Sequence, residues 1–188
     1  MLDEEELLKL DKAAQLILAG ERREACEILE ALTYRNDPRV YRMLGRTYLL
    51  SNDSSNNIQN PELGFEYLHK AIALGDLYSS LYVGRALFHG DLVHKDYELA
   101  FKYLNNLKNS NIGEGHLYLA ACYIKGLGVE KSDNDAERHL RLVIANMDNN
   151  TKDTLSIIKR NNLVKYYLSL IKVYLTRNKY GEKRFRRS

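Results

Sequence analysis

Features that interrupt helices or cross membranes are scarce in this sequence. Only two of its 188 residues are prolines, so little in the chain would break a helix. No run approaches the ~18 consecutive apolar residues of a membrane-spanning helix. With an apolar fraction of 45%, the chain is long enough to bury a substantial core. We therefore expect one soluble, all-helical domain and no membrane span.

Neither a secretory signal nor a disulfide bond is expected from this sequence. Its first six residues are mostly acidic, where a secretory signal would be basic and then apolar. The two cysteines, Cys26 and Cys122, lie far apart in the chain and are expected to be buried, unbridged and unreactive. Both observations favour a cytoplasmic protein.

Motifs for catalysis and metal binding are missing as well. No serine or cysteine stands in a nucleophile motif. The segment Gly126-Leu127-Gly128 lacks the preceding strand and the Lys-Ser/Thr ending of a phosphate-binding loop. The histidines are scattered, without the spacing of a zinc site: His69, His89, His94, His116 and His139. The sequence predicts a protein that is not an enzyme and has no cofactor and no metal site.

A pattern of small and large residues returns after 36 positions and is the strongest signal in the chain. One copy consists of Gly84, Leu87, Gly90, Val93 and Ala100, and the next of Ala120, Tyr123, Gly126, Val129 and Ala136. Weaker copies lie upstream and downstream. Periods of this size are typical of stacked helical hairpins. The sequence therefore predicts an all-α solenoid of about four and a half helix-turn-helix repeats.

The small residues of this pattern predict where helices approach each other closely. Gly45, Gly84 and Ala120 occupy equivalent positions, and a larger side chain follows each of them three residues later on the same helix face. Gly126 and Gly128 can adopt the positive φ angles that end a helix and reverse the chain. We interpret these five as packing and turn residues rather than site residues.

The amino-terminal helix is predicted from its cap and its apolar stripe. Asp3 is expected to cap this helix, and the three glutamates that follow favour its positive dipole end. The stripe expected to face the core consists of Leu7, Leu10, Ala14 and Ile17.

One segment contains Tyr123, then Lys125-Gly126-Leu127-Gly128-Val129, then Ala136. It resembles the Sel1-like repeat, a relative of the tetratricopeptide repeat. The resemblance covers roughly residues 38–148, and Leu92 departs from it by standing where the loop's second glycine is expected. It implies a right-handed α-solenoid that serves as an adaptor for a protein partner. One specific role that it implies is to neutralise a bacterial toxin or to regulate an effector.

The repeats predict how the chain is divided. A single domain over residues 1–178 would contain hairpins at about 3–35, 38–75, 77–110 and 113–148, followed by one or two cap helices at 152–178. A polar loop insertion, Ser51 to Asn60, interrupts the second hairpin. The cap has more apolar residues than one helix can bury, which leaves open a homodimer through this end. Residues 179–188 are interpreted as a basic, flexible tail.

Basic residues are concentrated at the carboxy-terminal end. From Lys159 onward the chain has ten lysines or arginines and one acid, whereas the first 158 residues carry a net charge of −6. The densest part, Lys183, Arg184, Arg186 and Arg187, is a candidate site for polyanions. An alternative function is therefore RNA or DNA binding through this basic helix and tail. In the competing interpretation, the basic last helix docks on the acidic body of the same chain.

A basic groove is predicted when the register of tetratricopeptide-type arrays is carried over to this chain. In such arrays the first helix of each hairpin lines the concave face. The side chains that would bind a partner there are Arg39, Arg42, Arg46, Tyr78, Arg85, Phe88, His89, Lys125, Lys165 and Lys172. Arginines bind carboxylates, and aromatic side chains supply apolar anchors. We therefore expect an adaptor or inhibitor that holds an acidic segment of a protein partner.

Overall fold

The computed structural model describes residues 2–49 and 58–146, and all regular structure in these ranges is helical. Eight α-helices follow one another: α1 (Glu4–Ala19), α2 (Arg22–Glu30), α3 (Pro38–Leu49), α4 (Pro61–Ala73), α5 (Leu77–His89), α6 (Tyr97–Leu104), α7 (Gly113–Lys125) and α8 (Asp133–Ala145). The predicted all-α solenoid class is confirmed. The expected cap at 152–178, the tail at 179–188 and most of the polar loop insertion lie outside the described residues.

Consecutive helices pack in pairs, α1 with α2, α3 with α4, α5 with α6 and α7 with α8. The first helices of successive pairs also contact one another, α1 with α3, α3 with α5 and α5 with α7. The first helices therefore lie side by side, so side chains on neighbouring first helices can meet. None of the helices in the described ranges is long and apolar enough to cross a membrane.

Helix starts are stabilised by side-chain caps. Asp3 Oδ1 accepts a hydrogen bond from the Glu6 backbone N–H at 3.0 Å, and the Glu6 carboxylate accepts one from the Asp3 N–H at 2.8 Å. The predicted cap of α1 is thus confirmed as a reciprocal capping box. The starts of α4, α5, α6 and α8 are capped by Asn60, Asp76, Asp96 and Ser132. These caps bind backbone N–H groups that have no partner within the first turn.

Close packing within the pairs depends on the small residues of the repeat. A Cβ atom added at Gly45 would lie 2.7 Å from Leu68 Cγ and 2.9 Å from the backbone oxygen of Gly64. One added at Gly84 would lie 2.7 Å from Leu104 Cγ. The prediction that these positions allow close helix approach is confirmed, because real carbon atoms do not pack at such distances.

The loops that reverse the chain after α5 and α7 use positive φ angles. Gly128 has a φ of 69°, and an added Cβ would lie 2.0 Å from the backbone oxygen of Tyr97. The equivalent position in the preceding repeat is Leu92, which adopts a φ of 66° although it carries a side chain. The backbone of the repeat is therefore kept where the glycine is absent, at the cost of local strain.

The amino-terminal helix buries a different face from the predicted one. Leu10 and Ala13 are buried together with Glu6, whereas Leu7 is 39% exposed. The predicted stripe is therefore wrong in part. The physical reason for this difference is the environment of Glu6. Its carboxylate accepts hydrogen bonds from Arg35 Nε at 2.5 Å and from the Tyr34 hydroxyl, and these bonds allow the charged side chain to be buried.

Candidate partner-binding surface

Arginines and tyrosines of α3 and α5 alternate on the row of first helices. The Arg42 guanidinium lies 5.4 Å from the ring centroid of Tyr78, and that of Arg46 lies 4.8 Å from the ring centroid of Tyr82. Arg85 also lies over Tyr82, at 5.6 Å. These five residues form one surface, called here the arginine–tyrosine face. Stacking on an aromatic ring orients a guanidinium while leaving the N–H groups at its edge free to bind.

Three of the predicted cations already have a carboxylate partner in their own chain. Arg42 Nη1 lies 2.5 Å from Asp76 Oδ1, and Arg85 Nη1 lies 3.3 Å from Glu114 Oε1. Arg39 Nη2 lies 2.8 Å from Asp37 Oδ2, two residues away at the start of α3. Their positive charges are thus partly neutralised, and the predicted groove is less basic than the sequence suggests.

Two of the predicted cations keep an unopposed charge. Arg46 and Lys125 are both exposed, and within residues 2–49 and 58–146 neither forms an ion pair with a carboxylate. Arg46 lies within the arginine–tyrosine face, whereas Lys125 is the last residue of α7. The unopposed charge of the face is therefore centred on Arg46.

The aromatic anchors are only partly those that the sequence suggests. Tyr78 is 42% exposed and lies beside Arg42, so it is available to a partner. Phe88 is only 8% exposed and packs edge-to-face against Tyr97 and Tyr118. The expectation that Phe88 is an exposed anchor is wrong, because this side chain belongs to the core between α5, α6 and α7.

Tyr82 was not among the groove residues predicted from the register of tetratricopeptide-type arrays. It lies four residues after Tyr78, one turn along α5, so the helical period places both on one face. The preceding residue, Leu81, is 2% exposed and part of the core, so the two neighbours lie on different faces of the helix. A search for aromatic residues spaced by four could have found this tyrosine.

The remaining predicted residue on α5, His89, is engaged within the protein. Its Nε2 lies 2.8 Å from the Tyr118 hydroxyl of α7, and the two rings meet edge-to-face. Burial lowers the pKa of His89 below its usual range. We therefore expect this imidazole to be neutral at pH 7 and to add no charge to the surface.

A pocket of about 430 Å³ opens between α1 and α3, next to the arginine–tyrosine face. Its apolar lining comes from Ala14, Ile17, Leu18, Met43 and Thr47. Three arginines complete it, Arg22, Arg42 and Arg46. We call this cavity the α1–α3 pocket. This pocket was not predicted, because Ala14 and Ile17 were expected to face the core.

A second, more open depression of about 530 Å³ lies where α3, α5 and α7 begin. Arg42 lines it together with Asp76 and Tyr78. Because Arg42 also lines the α1–α3 pocket, this side chain separates two adjoining concavities on the same row of helices. An extended or helical segment of a partner could cross both of them.

The buried titratable groups of the described residues are not arranged as a metal site. No three histidine, cysteine, aspartate or glutamate side chains converge in the ranges that the structure covers. His116 and His139 form a pair, with their Nδ1 atoms 3.0 Å apart. Both cysteines are buried as predicted, and burial raises the pKa of Cys26 to about 11 and that of Cys122 to about 12.

Six of the predicted site residues fall outside the residues that the structure describes. They are Lys165, Lys172, Lys183, Arg184, Arg186 and Arg187. Their roles remain predictions.

The paired helices and the row of first helices define a helical-repeat scaffold. The Sel1 repeat family model matches residues 38–76, 78–106 and 113–142, about half of the chain. The chain therefore belongs to the Sel1 repeat family. Sel1 repeat proteins are generally protein-interaction modules and typically act as non-catalytic scaffolds.

Two solved structures with a similar fold are bacterial proteins. A Sel1 repeat protein from Oxalobacter formigenes is 17% identical, with a TM-score of 0.65, over 76% of this chain and 56% of that one. A protective antigen of uropathogenic Escherichia coli that displays an SLR fold is 16% identical, with a TM-score of 0.60, over 74% of this chain and 29% of that one. The chain thus spans little more than half of the first structure. None of the curated proteins matches it.

Proposed function

We propose that this chain is an adaptor or inhibitor that holds an acidic segment of a protein partner against the arginine–tyrosine face. The observation that carries the proposal is Arg46. Its guanidinium is exposed and stacked on Tyr82, and it has no carboxylate partner among the described residues. A carboxylate of the partner would supply the missing counter-charge.

The geometry of the face favours binding because its side chains are already ordered. Arg42 is held between Tyr78 and Asp76, and Arg85 between Tyr82 and Glu114. Side chains that are fixed before binding lose less conformational entropy when a partner arrives. Tyrosine and arginine are also the residues that most often dominate binding energy at protein interfaces.

The proposal can be tested by selecting, from a random peptide library, the peptides that bind the whole chain and then measuring their affinity. We expect peptides rich in aspartate and glutamate, whose affinity falls as salt rises because the attraction is electrostatic. Arg46→Glu should weaken their binding at least tenfold. The matched control is Lys102→Glu, which makes the same charge change at an exposed position on α6. Equal effects of the two substitutions would refute the proposal.

A bacterial toxin or effector is the specific partner class that we propose, acting in the cytoplasm. Purification of the chain from its native cell, with Arg46→Glu as the comparison, would identify proteins that depend on the face. Partners recovered equally with both forms would exclude this version of the proposal.

A second candidate function rests on the basic residues after position 158. Ten basic residues against one acid can attract phosphates, and Phe185 lies within the densest part. Deleting residues 179–188 separates the two functions. If single-stranded RNA binding is lost and acidic-peptide binding is kept, the tail acts independently of the face. If the deletion abolishes peptide binding, the face is not the binding surface.

A further inference from the structure

An apolar strip of α1 is left uncovered within the described part of the chain. Leu18 is 88% exposed, and Ile17 beside it is only partly buried. Across the α1–α3 pocket, the Thr47 hydroxyl donates to the Met43 backbone oxygen at 2.8 Å. The hydroxyl is therefore satisfied within its own helix, and the pocket offers mainly apolar surface to a ligand.

The pocket combines this apolar lining with positive charge. None of its lining residues is acidic. Arg22 and Arg46 form no ion pair with a carboxylate in the ranges that the structure covers, and Arg42 is bound to Asp76 at the boundary of the pocket. Arg22 also begins α2, where the helix dipole disfavours a cation. An anionic ligand would relieve both unopposed charges.

These two properties restrict what can occupy the pocket. A purely apolar ligand would cover the arginines without balancing their charge, which is costly. A purely anionic ligand would leave the surface of Ile17 and Leu18 exposed to water. The volume of about 430 Å³ lies in the range of pockets that bury a small-molecule ligand, so it holds even the largest apolar side chain with room for neighbouring groups. The best complement is a large apolar group with negative charges close to it.

We infer that the α1–α3 pocket receives one large apolar side chain of the partner's acidic segment, with carboxylates on either side bound by Arg22 and Arg46. This inference rests on the proposed function, because it assumes that the partner is acidic. The inference adds to the proposed function a hydrophobic anchor and the place where the anchor binds. Recognition then requires an acidic motif with a central leucine, isoleucine, methionine or phenylalanine, and negative charge alone is not enough.

The peptide selection described for the arginine–tyrosine face tests this inference directly. The enriched sequences should contain a large apolar residue between acids. Replacing that residue by alanine in the peptide should weaken binding about tenfold. Enriched sequences that are acidic but have no fixed apolar residue would overturn the inference and leave the proposed function standing. Apolar sequences without acids, or no enrichment at all, would overturn both.

Variants of the protein then locate the anchor. Leu18→Ser should weaken the leucine-containing peptide about fivefold and leave its alanine version unchanged, and the difference is the coupling in a double-mutant cycle. Leu8→Ser is the matched control, since Leu8 is also an exposed leucine of α1 but does not line the pocket. Both leucines are exposed, so neither change should prevent folding. No coupling at Leu18 would overturn the inference.

The charged rim is tested with a second matched pair. Arg22→Gln should weaken the acidic peptide about fivefold, whereas Arg23→Gln, at the neighbouring exposed position that does not line the pocket, should not. Single-stranded RNA serves as a competitor. If RNA displaces the peptide and its own binding depends on Arg22 and Leu18, the pocket is a nucleic-acid site and the inference is wrong.

Discussion

His116 and His139 meet in the core through their Nδ1 atoms, 3.0 Å apart, although 23 residues separate them in the sequence. His116 Nε2 lies 2.9 Å from the Ser110 backbone oxygen, which can only accept a hydrogen bond. The proton of a neutral His116 is therefore on Nε2, and its Nδ1 accepts from His139 Nδ1–H. The pair joins α7 to α8, and its hydrogen bond is lost when His116 is protonated on Nδ1.

Acid should destabilise the protein through this pair. Burial, followed by the charge of His116, lowers the pKa of His139 to about 4, and burial also lowers that of His116. Because both values lie below the unfolded value near 6.5, the unfolded chain binds more protons in acid. The stability from neutral histidines is present above pH 6.5 and is lost as pH falls towards 4. Urea unfolding across this range should show a loss of roughly 2–3 kcal/mol from His139.

Substitution identifies the source of this acid sensitivity. His139→Phe keeps a ring to stack on Tyr123 but cannot be protonated, so its stability should depend less on pH between 6.5 and 4. Exposed His94 provides the control, and His94→Gln should retain the acid loss. If His139→Phe unfolds with the same pH dependence as the unmodified protein, other groups cause the effect.

The loops after α5 and α7 give a second prediction, because Leu92 and Gly128 occupy equivalent positions in them. Leu92 is held at a φ of 66°, which costs a residue with a side chain ~1–2 kcal/mol. Leu92→Gly should therefore raise stability by up to about 1 kcal/mol, once the greater freedom of glycine in the unfolded chain is subtracted. Thermal and urea unfolding would measure it. A clear loss of stability would mean that the Leu92 side chain contributes packing.

Gly128 allows the opposite substitution, in which a side chain is added to the loop. An added Cβ there would collide with the Tyr97 backbone oxygen, so Gly128→Ala should destabilise the protein by roughly 2–4 kcal/mol. Gly75→Ala is the matched control. Gly75 also has a positive φ, of 87°, but an added Cβ would meet no atom within 4 Å. The difference between the two variants measures the close approach of backbone to backbone.

Helix packing supplies a third prediction. In an isolated helix, alanine is more favourable than glycine by about 1 kcal/mol. At Gly45 we expect the opposite sign, a loss of ~1–3 kcal/mol, because the new methyl group would contact Leu68 and the Gly64 backbone oxygen below 3 Å. Chemical unfolding of Gly45→Ala measures the balance. Greater stability than the parent would show that α3 and α4 can move apart at little cost.

Local and periodic features of this chain were predictable from its sequence. The cap at Asp3, the small residue at Gly45 and the turn at Gly128 depend on neighbouring residues or on the repeat. What could not be predicted depends on contacts between distant residues. Arg42 pairs with Asp76, 34 residues away, and Arg85 pairs with Glu114, 29 residues away. One sequence does not show such pairings, so the basic groove was expected to be more strongly charged than it is.

Leu81 and Tyr82 show a different limit. A shift of one residue around α5 separates a buried side chain from one that contributes to the surface. The repeat pattern fixes the packed positions of the helix, but the register of the exposed face was carried over from another type of array. The curvature and packing of this chain determine that register, and they follow from tertiary structure.

The pair between Arg42 and Asp76 leads to the last prediction. Asp76 both caps α5, by accepting from the Ser79 N–H at 2.7 Å, and neutralises Arg42. Asp76→Asn should retain an oxygen for the cap but release the arginine, so that a partner's carboxylate can bind it. We expect acidic peptides to bind two- to fivefold more tightly at low salt, and the protein to lose about 1 kcal/mol of stability.

The matched control for this change is Asp96→Asn. Asp96 caps α6 in the same way, by accepting from the Leu99 N–H at 2.9 Å, but it forms no ion pair with an arginine among the described residues. Isothermal titration of the same acidic peptide should show no change in affinity for this variant. If Asp76→Asn instead weakens binding, then the acidic partner needs Arg42 held in place by Asp76, and orientation of the guanidinium matters more than its free charge.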